Sequence, residues 1–208
     1  MRHGTDKNST YHNYLQHYEK ELYDRRKESI TLLEIGVHTG ASLRTWQEYF
    51  INGSITGVDI DPACLSHAAE RTKIILANQS NNDDLQRLAS LGPWDFIIDD
   101  GSHVWDDQIM SFQTLFPSIS CNGLYIIEDM QTSYGMHTAK YSGTGITRTS
   151  EFVHTLADWV CGNQMLSNVS PPSAIGKIWQ LVESIKIIRG AAIIRRNNMK
   201  VAHFLNDR

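Results

Sequence analysis

The sequence predicts a doubly wound α/β fold, with five parallel strand–helix units closed by a C-terminal antiparallel hairpin. Three observations predict it. Short apolar runs alternate with longer stretches of helical character. The runs are continuously apolar, as in strands buried on both faces. The last two runs are split by a tight turn, which suits antiparallel partners.

In chain order, "ITLLEIG" (30–36), "SITGVDI" (54–60), "KIILAN" (73–78), "WDFIIDD" (94–100) and "GLYIIED" (123–129) read as strands, rich in β-branched residues and bounded by Gly, Asp or Asn. Helices are predicted at roughly Ser42–Phe50, Pro62–Arg71, Asn82–Ser90 and Trp105–Ser120. Pro62 stands where a first-turn proline is tolerated. A polar, Gly-rich loop from Met130 to Gly145 precedes a helix over 150–160 and a loop holding Pro171 and Pro172. "SIKIIRGAAIIRR" (184–196) then folds about Arg189-Gly190 as the closing hairpin.

At 208 residues the chain suits one domain with a substantial core. Its net charge of −4 and its lack of a basic block argue against a nucleic-acid or anionic-membrane partner. "MRHGTDKNSTYHNY" has no apolar leader core, so a cytoplasmic protein is expected. Cys64, Cys121 and Cys161 are too scattered for a disulfide framework or a C-x-x-C motif.

"LLEIGVHTGASL" places Gly36 and Gly40 just after the first strand, where a ligand passes close to backbone at the switch point of an open sheet. The spacing is G-x-x-x-G, without the G-x-G-x-x-G dinucleotide fingerprint. Glu34 beside this loop would repel a pyrophosphate and suits a cationic ligand; S-adenosylmethionine, with a sulfonium and an ammonium, is such a ligand. Asp59, closing strand two, stands where an acid accepts hydrogen bonds from ribose hydroxyls, or caps the next helix. Asn78-Gln79-Ser80 follows strand three within reach of an adenine edge, or as turn residues.

Strands four and five, neighbours about 4.8 Å apart in this topology, bring Asp99, Asp100, Glu128 and Asp129 to one edge of the crevice. Unpaired, four carboxylates raise one another's pKa values. A hard divalent cation, Mg²⁺ or a similar ion, resolves this, and the absence of a Cys or His cluster argues against zinc. His103 lies close in sequence to these acids and supplies an imidazole, a side-chain type suited to general-base work, which Asp106 or Asp107 is expected to orient. Ahead of the first strand, Tyr11, Tyr14, Leu15, Tyr18 and Leu22 share one helical face. This stripe reads as core packing, or as a helix laying "GTDK" (4–7) over the ligand, which brings in Thr5 and Lys7.

"GTDK", "LLEIGVHTGASLRTWQEYF", "GVDID", "NQS", "FIIDDGSH", "LFP" and "GLYIIEDMQTSY" together resemble the metal-dependent sugar O-methyltransferases of the macrocin and mycinamicin type, over roughly residues 4 to 134. The resemblance implies a class I, Rossmann-like methyltransferase fold using S-adenosylmethionine and Mg²⁺ on a glycoside or sugar acceptor. It implies one domain over 1–208, with a helical cap at 1–28 and a core at 29–208. It places metal ligands on Asp100, Glu128 and Asp129 and the catalytic base on His103. Cofactor contacts fall on Gly36, Ser42, Asp59 and Gln79, with Asp99 facing the cofactor. The chain lacks the extra N-terminal domain of the mycinamicin-type enzymes, which leaves self-association and the size of the acceptor open. A metal-dependent hydrolase, a nucleotide-binding enzyme or a non-catalytic cofactor-binding module are the rival readings.

Overall fold

The computed structural model describes residue 7 and residues 14–162 and 169–199. Seven strands form one sheet: β1 (Thr31–Ile35), β2 (Ser54–Asp59), β3 (Thr72–Leu76), β4 (Trp94–Asp99), β5 (Ile119–Ile127), β6 (Val182–Ile188) and β7 (Ala191–Arg196). Their order is β3-β2-β1-β4-β5-β7-β6. The first five run parallel, and β7 pairs antiparallel with both β5 and β6. This is the predicted layout, with β1 next to β4 and β4 next to β5.

The period of two along each strand sends successive side chains to opposite faces. Leu33, Ile97 and Tyr125 point to one face, where they pack with Phe112 and Phe152; Leu32, Phe96 and Leu124 point to the other, against Trp46 and Tyr18. Helices α1 (Leu15–Leu22) and α2 (Ala41–Tyr49) cover the second face. Helices α3 (Asn82–Ser90) and α4 (Trp105–Leu115) cover the first. So does α6 (Thr149–Gly162), while the short α5 (Thr138–Tyr141) lies in the polar loop between. Asn81 starts α3 by accepting from the amides of Asp83 and Asp84. Gly190, at φ +81°, makes the turn between β6 and β7.

Two predicted helices are shorter than expected. The segment after β2 is a 3-10 turn over Pro62–His67, not a helix to Arg71. Its only buried residue is Cys64, so it has no apolar stripe to hold a longer helix on the sheet. Helix α4 stops at Leu115 because Pro117 cannot continue it, and β5 therefore begins at Ile119. Tyr11, counted in the predicted tyrosine stripe, lies outside the described residues. Among the described residues no helix is long and apolar enough to cross a membrane.

Phe112 is fully buried and contacts the rings of Phe116, Tyr125 and Phe152. Phe112→Ala is expected to cost about 3–5 kcal/mol of stability, read as a lower urea midpoint at unchanged slope. A loss under about 1 kcal/mol would mean that this face of the sheet is not the main core.

Candidate active site

Where β1 and β2 end, the chain turns sharply enough to open a cleft of about 900 Å³. Gly36, Val37, Asp59, Gln79, Asp100 and His103 are among its lining residues. The glycine at 36 is required twice over. Its φ is +93°, and a Cβ there would lie 2.1 Å from the Asp100 carbonyl oxygen. The loops after β1 and β4 thus touch at backbone distance, at the predicted switch point.

Asp59 lines the cleft and also holds the loop beside it. Its Oδ2 accepts from the amides of Val37 (2.9 Å) and His38 (3.1 Å), and its Oδ1 from that of Asp61 (2.9 Å). Burial works against its charge, but these amides prevail and keep its pKa below the ordinary value. Gln79 sits on the floor, donating to Asp99 Oδ1 (2.7 Å) and Ser111 Oγ (3.1 Å) while its Oε1 accepts from the Ser102 amide (2.9 Å). Ser42 lines the cleft and donates to Glu34 Oε2 at 2.8 Å. Gly40 starts α2 at φ +69°, where a Cβ would meet the His67 ring at 2.7 Å; its role is in the turn.

Three expected cofactor contacts lie behind the cleft wall. Asp99 is buried, with its oxygens on Gln79 and, at 3.0 Å, on the Tyr125 hydroxyl. The strand's alternation points it away from Asp100, so it supports Gln79 from below. Burial raises its pKa to about 7. Glu34 is likewise buried, between Ser42 and the Lys7 ammonium, whose Nζ lies 3.5 Å from its Oε1. Lys7 itself enters this interior rather than the cleft. It touches Asp100 Oδ2 and donates to Glu128 Oε2 at 2.8 Å. Burial opposes its charge, yet Glu128, Asp100 and Glu34 outweigh that and hold its pKa well above normal. Thr5 lies outside the described residues.

The acids converge as the topology requires. One oxygen each from Asp100 and Asp129 and a ring nitrogen of His103 lie within 4.8 Å of one another. His103 Nε2 is 3.6 Å from Asp129 Oδ2 and 4.0 Å from Asp100 Oδ1. His103 and Asp129 both have positive φ, 57° and 56°. That conformation is costly for residues with a Cβ and is often held at functional sites by the surrounding fold. Glu128 is not in this group of converging atoms. Its carboxylate is turned inward to Lys7 and to the Tyr18 hydroxyl at 2.8 Å, and burial pushes its pKa well up. The hard oxygens with one imidazole suit a divalent cation of the Mg²⁺ kind.

Neither carboxylate expected to orient His103 does so. Asp106 accepts from the amide (3.0 Å) and hydroxyl (3.1 Å) of Thr144, and Asp107 from the hydroxyls of Ser80 (2.9 Å) and Ser102 (2.6 Å). Against His103 instead lies the Tyr141 ring, edge-on at 6.1 Å. Sequence reasoning also missed that Tyr14 and Tyr18 are polar partners of the acids. Tyr14 donates to Asp129 Oδ1 at 3.2 Å, and Tyr18 holds Glu128. The signal was the choice of tyrosine over phenylalanine in a buried stripe, since a buried hydroxyl needs a partner.

A parallel sheet that reverses at its edge, with a cleft at the switch point and an acid on the second strand, is the class I methyltransferase fold. No family model matches the chain. The chain's homologues are sugar O-methyltransferases of the macrocin and mycinamicin type. It is 41% identical over 142 residues to 8-demethyl-8-alpha-L-rhamnosyl tetracenomycin-C 2'-O-methyltransferase of Streptomyces olivaceus, covering 64% of this chain and 37% of the relative. It is 39% identical over 142 residues to demethylmacrocin O-methyltransferase of Streptomyces fradiae, covering 64% of this chain and 35% of the relative. The structure of MycE methyltransferase from the mycinamycin biosynthetic pathway, in complex with Mg, SAH and mycinamycin VI, matches with a TM-score of 0.81 at 28% identity. That match covers 94% of this chain and 52% of MycE. The matched part spans just over a third of these two curated relatives.

Burial, opposed by Lys7 and reinforced by Asp100, raises Glu34 from its ordinary 4.5 to about 7. The folded chain therefore keeps a proton that the unfolded chain has released, and stability falls as pH rises between about 4.5 and about 7. Glu34→Gln removes this exchange. Its plot of stability against pH, from urea unfolding in EDTA, should run flatter than wild type across that window; parallel plots would count against a raised Glu34.

Proposed function

We propose that this chain carries an S-adenosylmethionine-dependent, divalent-metal-assisted O-methyltransferase activity directed at a hydroxyl of a sugar or glycosylated natural product. The observation that supports it most is the convergence of Asp100, His103 and Asp129 beside a cleft that two of them line. Relatives named for sugar O-methylation, and MycE with Mg and SAH, support the same reading.

In this reading Gly36 lets the cofactor lie against backbone, and Asp59 accepts from its ribose hydroxyls. Asp100 and Asp129 would hold the cation, with Glu128 behind them on Lys7 and Tyr18. When bound, S-adenosylmethionine would supply the methyl group and the cation would make the acceptor hydroxyl more acidic. His103 takes the hydroxyl proton at Nε2, where the neighbouring Asp129 carboxylate stabilises the imidazolium. Gln79, Ser80 and Ser102 bound the cleft, the two serines sharing Asp107 and the Ser102 amide donating to Gln79. The cap over 1–28 belongs to this reading, because Lys7, Tyr14 and Tyr18 close the acid group from the N-terminal side. A small-molecule acceptor in the cytoplasm, rather than nucleic acid or a membrane, completes it.

Calorimetry with S-adenosylhomocysteine should show one site, weakened at least about tenfold by Asp59→Ala, which removes charged hydrogen-bond acceptors. No binding to wild type would favour a metal-dependent hydrolase instead. With a rhamnosylated acceptor, EDTA should abolish methyl transfer and Mg²⁺ restore it. His103→Ala should lose roughly 10²–10⁴-fold in kcat while cofactor and metal still bind. A matching loss of metal affinity would make His103 a ligand rather than the base.

A further inference from the structure

The N-terminal segment places an ammonium among acids that the reading above gives to a metal. Lys7 is 1% exposed. Its Nζ touches Asp100 Oδ2 and lies 2.8 Å from Glu128 Oε2 and 3.5 Å from Glu34 Oε1. Asp100 and Glu128 are two of the three positions where the resemblance places metal ligands. The lysine is fixed rather than trailing, since its carbonyl accepts from the Leu15 amide at the start of α1, at 3.2 Å.

Two consequences follow from Coulomb's law and burial. Glu34 and Glu128 are buried carboxylates, which without a cation would have to take up protons or stay unpaired at high cost. A divalent ion drawn to Asp100 and Glu128 meets an ammonium already on both, and like charges at such separations repel strongly in a poorly solvated site. Meanwhile Asp100 Oδ1, Asp129 Oδ2 and His103 Nε2 face one another on the side away from the Lys7 contact with Asp100 Oδ2.

We propose that Lys7 is a positioning residue that sets the affinity of the acid group for its divalent cation: its ammonium competes for Asp100 and Glu128, and in the metal-free chain it supplies the charge that lets the carboxylates pack together. The inference rests on the metal-assisted reading. It concerns how tightly the cation is held rather than what is methylated.

The test uses the whole chain with Mn²⁺ alone, followed by electron paramagnetic resonance. Lys7→Gln keeps hydrogen-bond donors and removes the charge, and it should bind Mn²⁺ about tenfold tighter or more. Its thermal midpoint in EDTA should fall below wild type, and saturating Mg²⁺ should raise it by more than it raises wild type. Lys7→Arg keeps the charge and should return both readings to near wild type, which a purely space-filling role would not do. If the glutamine variant folds only with Mg²⁺ present, the metal has replaced the missing ammonium, as proposed. If it folds under neither condition, or binds Mn²⁺ no more tightly than wild type, Lys7 is structural only and the proposal falls. If wild type itself binds no Mn²⁺, the metal-assisted reading fails first and takes this inference with it.

Discussion

A buried ammonium among carboxylates is the interaction on which the rest of this architecture depends. The ends of β1, β4 and β5 each carry an acid into the same small volume: Glu34, Asp100 and Glu128. Buried carboxylates such as Glu34 and Glu128 resist ionisation, and even beside Lys7 both are held above the ordinary carboxylate range. Removing one partner from a buried ion cluster typically costs about 3–5 kcal/mol, because the remaining charge is stranded. Lys7 answers this electrostatic demand from outside the sheet, and Tyr18 and Ser42 saturate oxygens that it leaves. The placement of Lys7 and the packing of these acids therefore depend on each other.

The cleft and the acid group are held in register by a second constraint, which is steric. With Gly36 pressed onto the Asp100 carbonyl, the loop after β1 cannot shift without moving the residue that leads the acids. Gly101 packs against the Gln79 side chain, where a Cβ would fall 2.2 Å from its Oε1 and the amide would have to move. His103 and Asp129 then sit in left-handed conformations that neither would choose in isolation. The strain is modest per residue, and the surrounding contacts over-determine it. Such a site is organised before a ligand arrives, which is what electrostatic catalysis needs.

Much of this was legible in the sequence because it followed from periodicity and strand ends. Continuous apolar runs give parallel strands, strand order puts β4 beside β5, and the residues after each run necessarily gather at one edge. That reasoning located the cleft and the acids. It did not assign their faces. Asp99 and Asp100 are neighbours in sequence, yet the pleat sends one to Gln79 and Tyr125 and the other to Lys7. A one-residue difference in where the strand ends decides which of them meets the cleft, and terminal residues are where sequence patterns are least exact. Glu34 is expected from the sequence to face a cationic ligand, whereas in the structure it is buried and its cationic neighbour is Lys7. Asp106 and Asp107 were near His103 in sequence, but a helix start turned both toward loop hydroxyls and amides.

The turn at Gly190 reaches further than a hairpin tip usually does. Its carbonyl accepts from the Met130 amide at 2.8 Å and from the Tyr14 hydroxyl at 3.2 Å, and that hydroxyl also holds Asp129. One peptide group near the C-terminal end of the sheet thus joins the first helix to the segment bearing an acid of the site. During synthesis the chain emerges from its N-terminus, and all five parallel strands are available before this peptide group exists. A nascent chain that stops short of β7 has the cleft's walls but lacks the strand beside β5 and the brace on Asp129. The acid group is therefore completed by a peptide group that comes well after the last parallel strand in the chain.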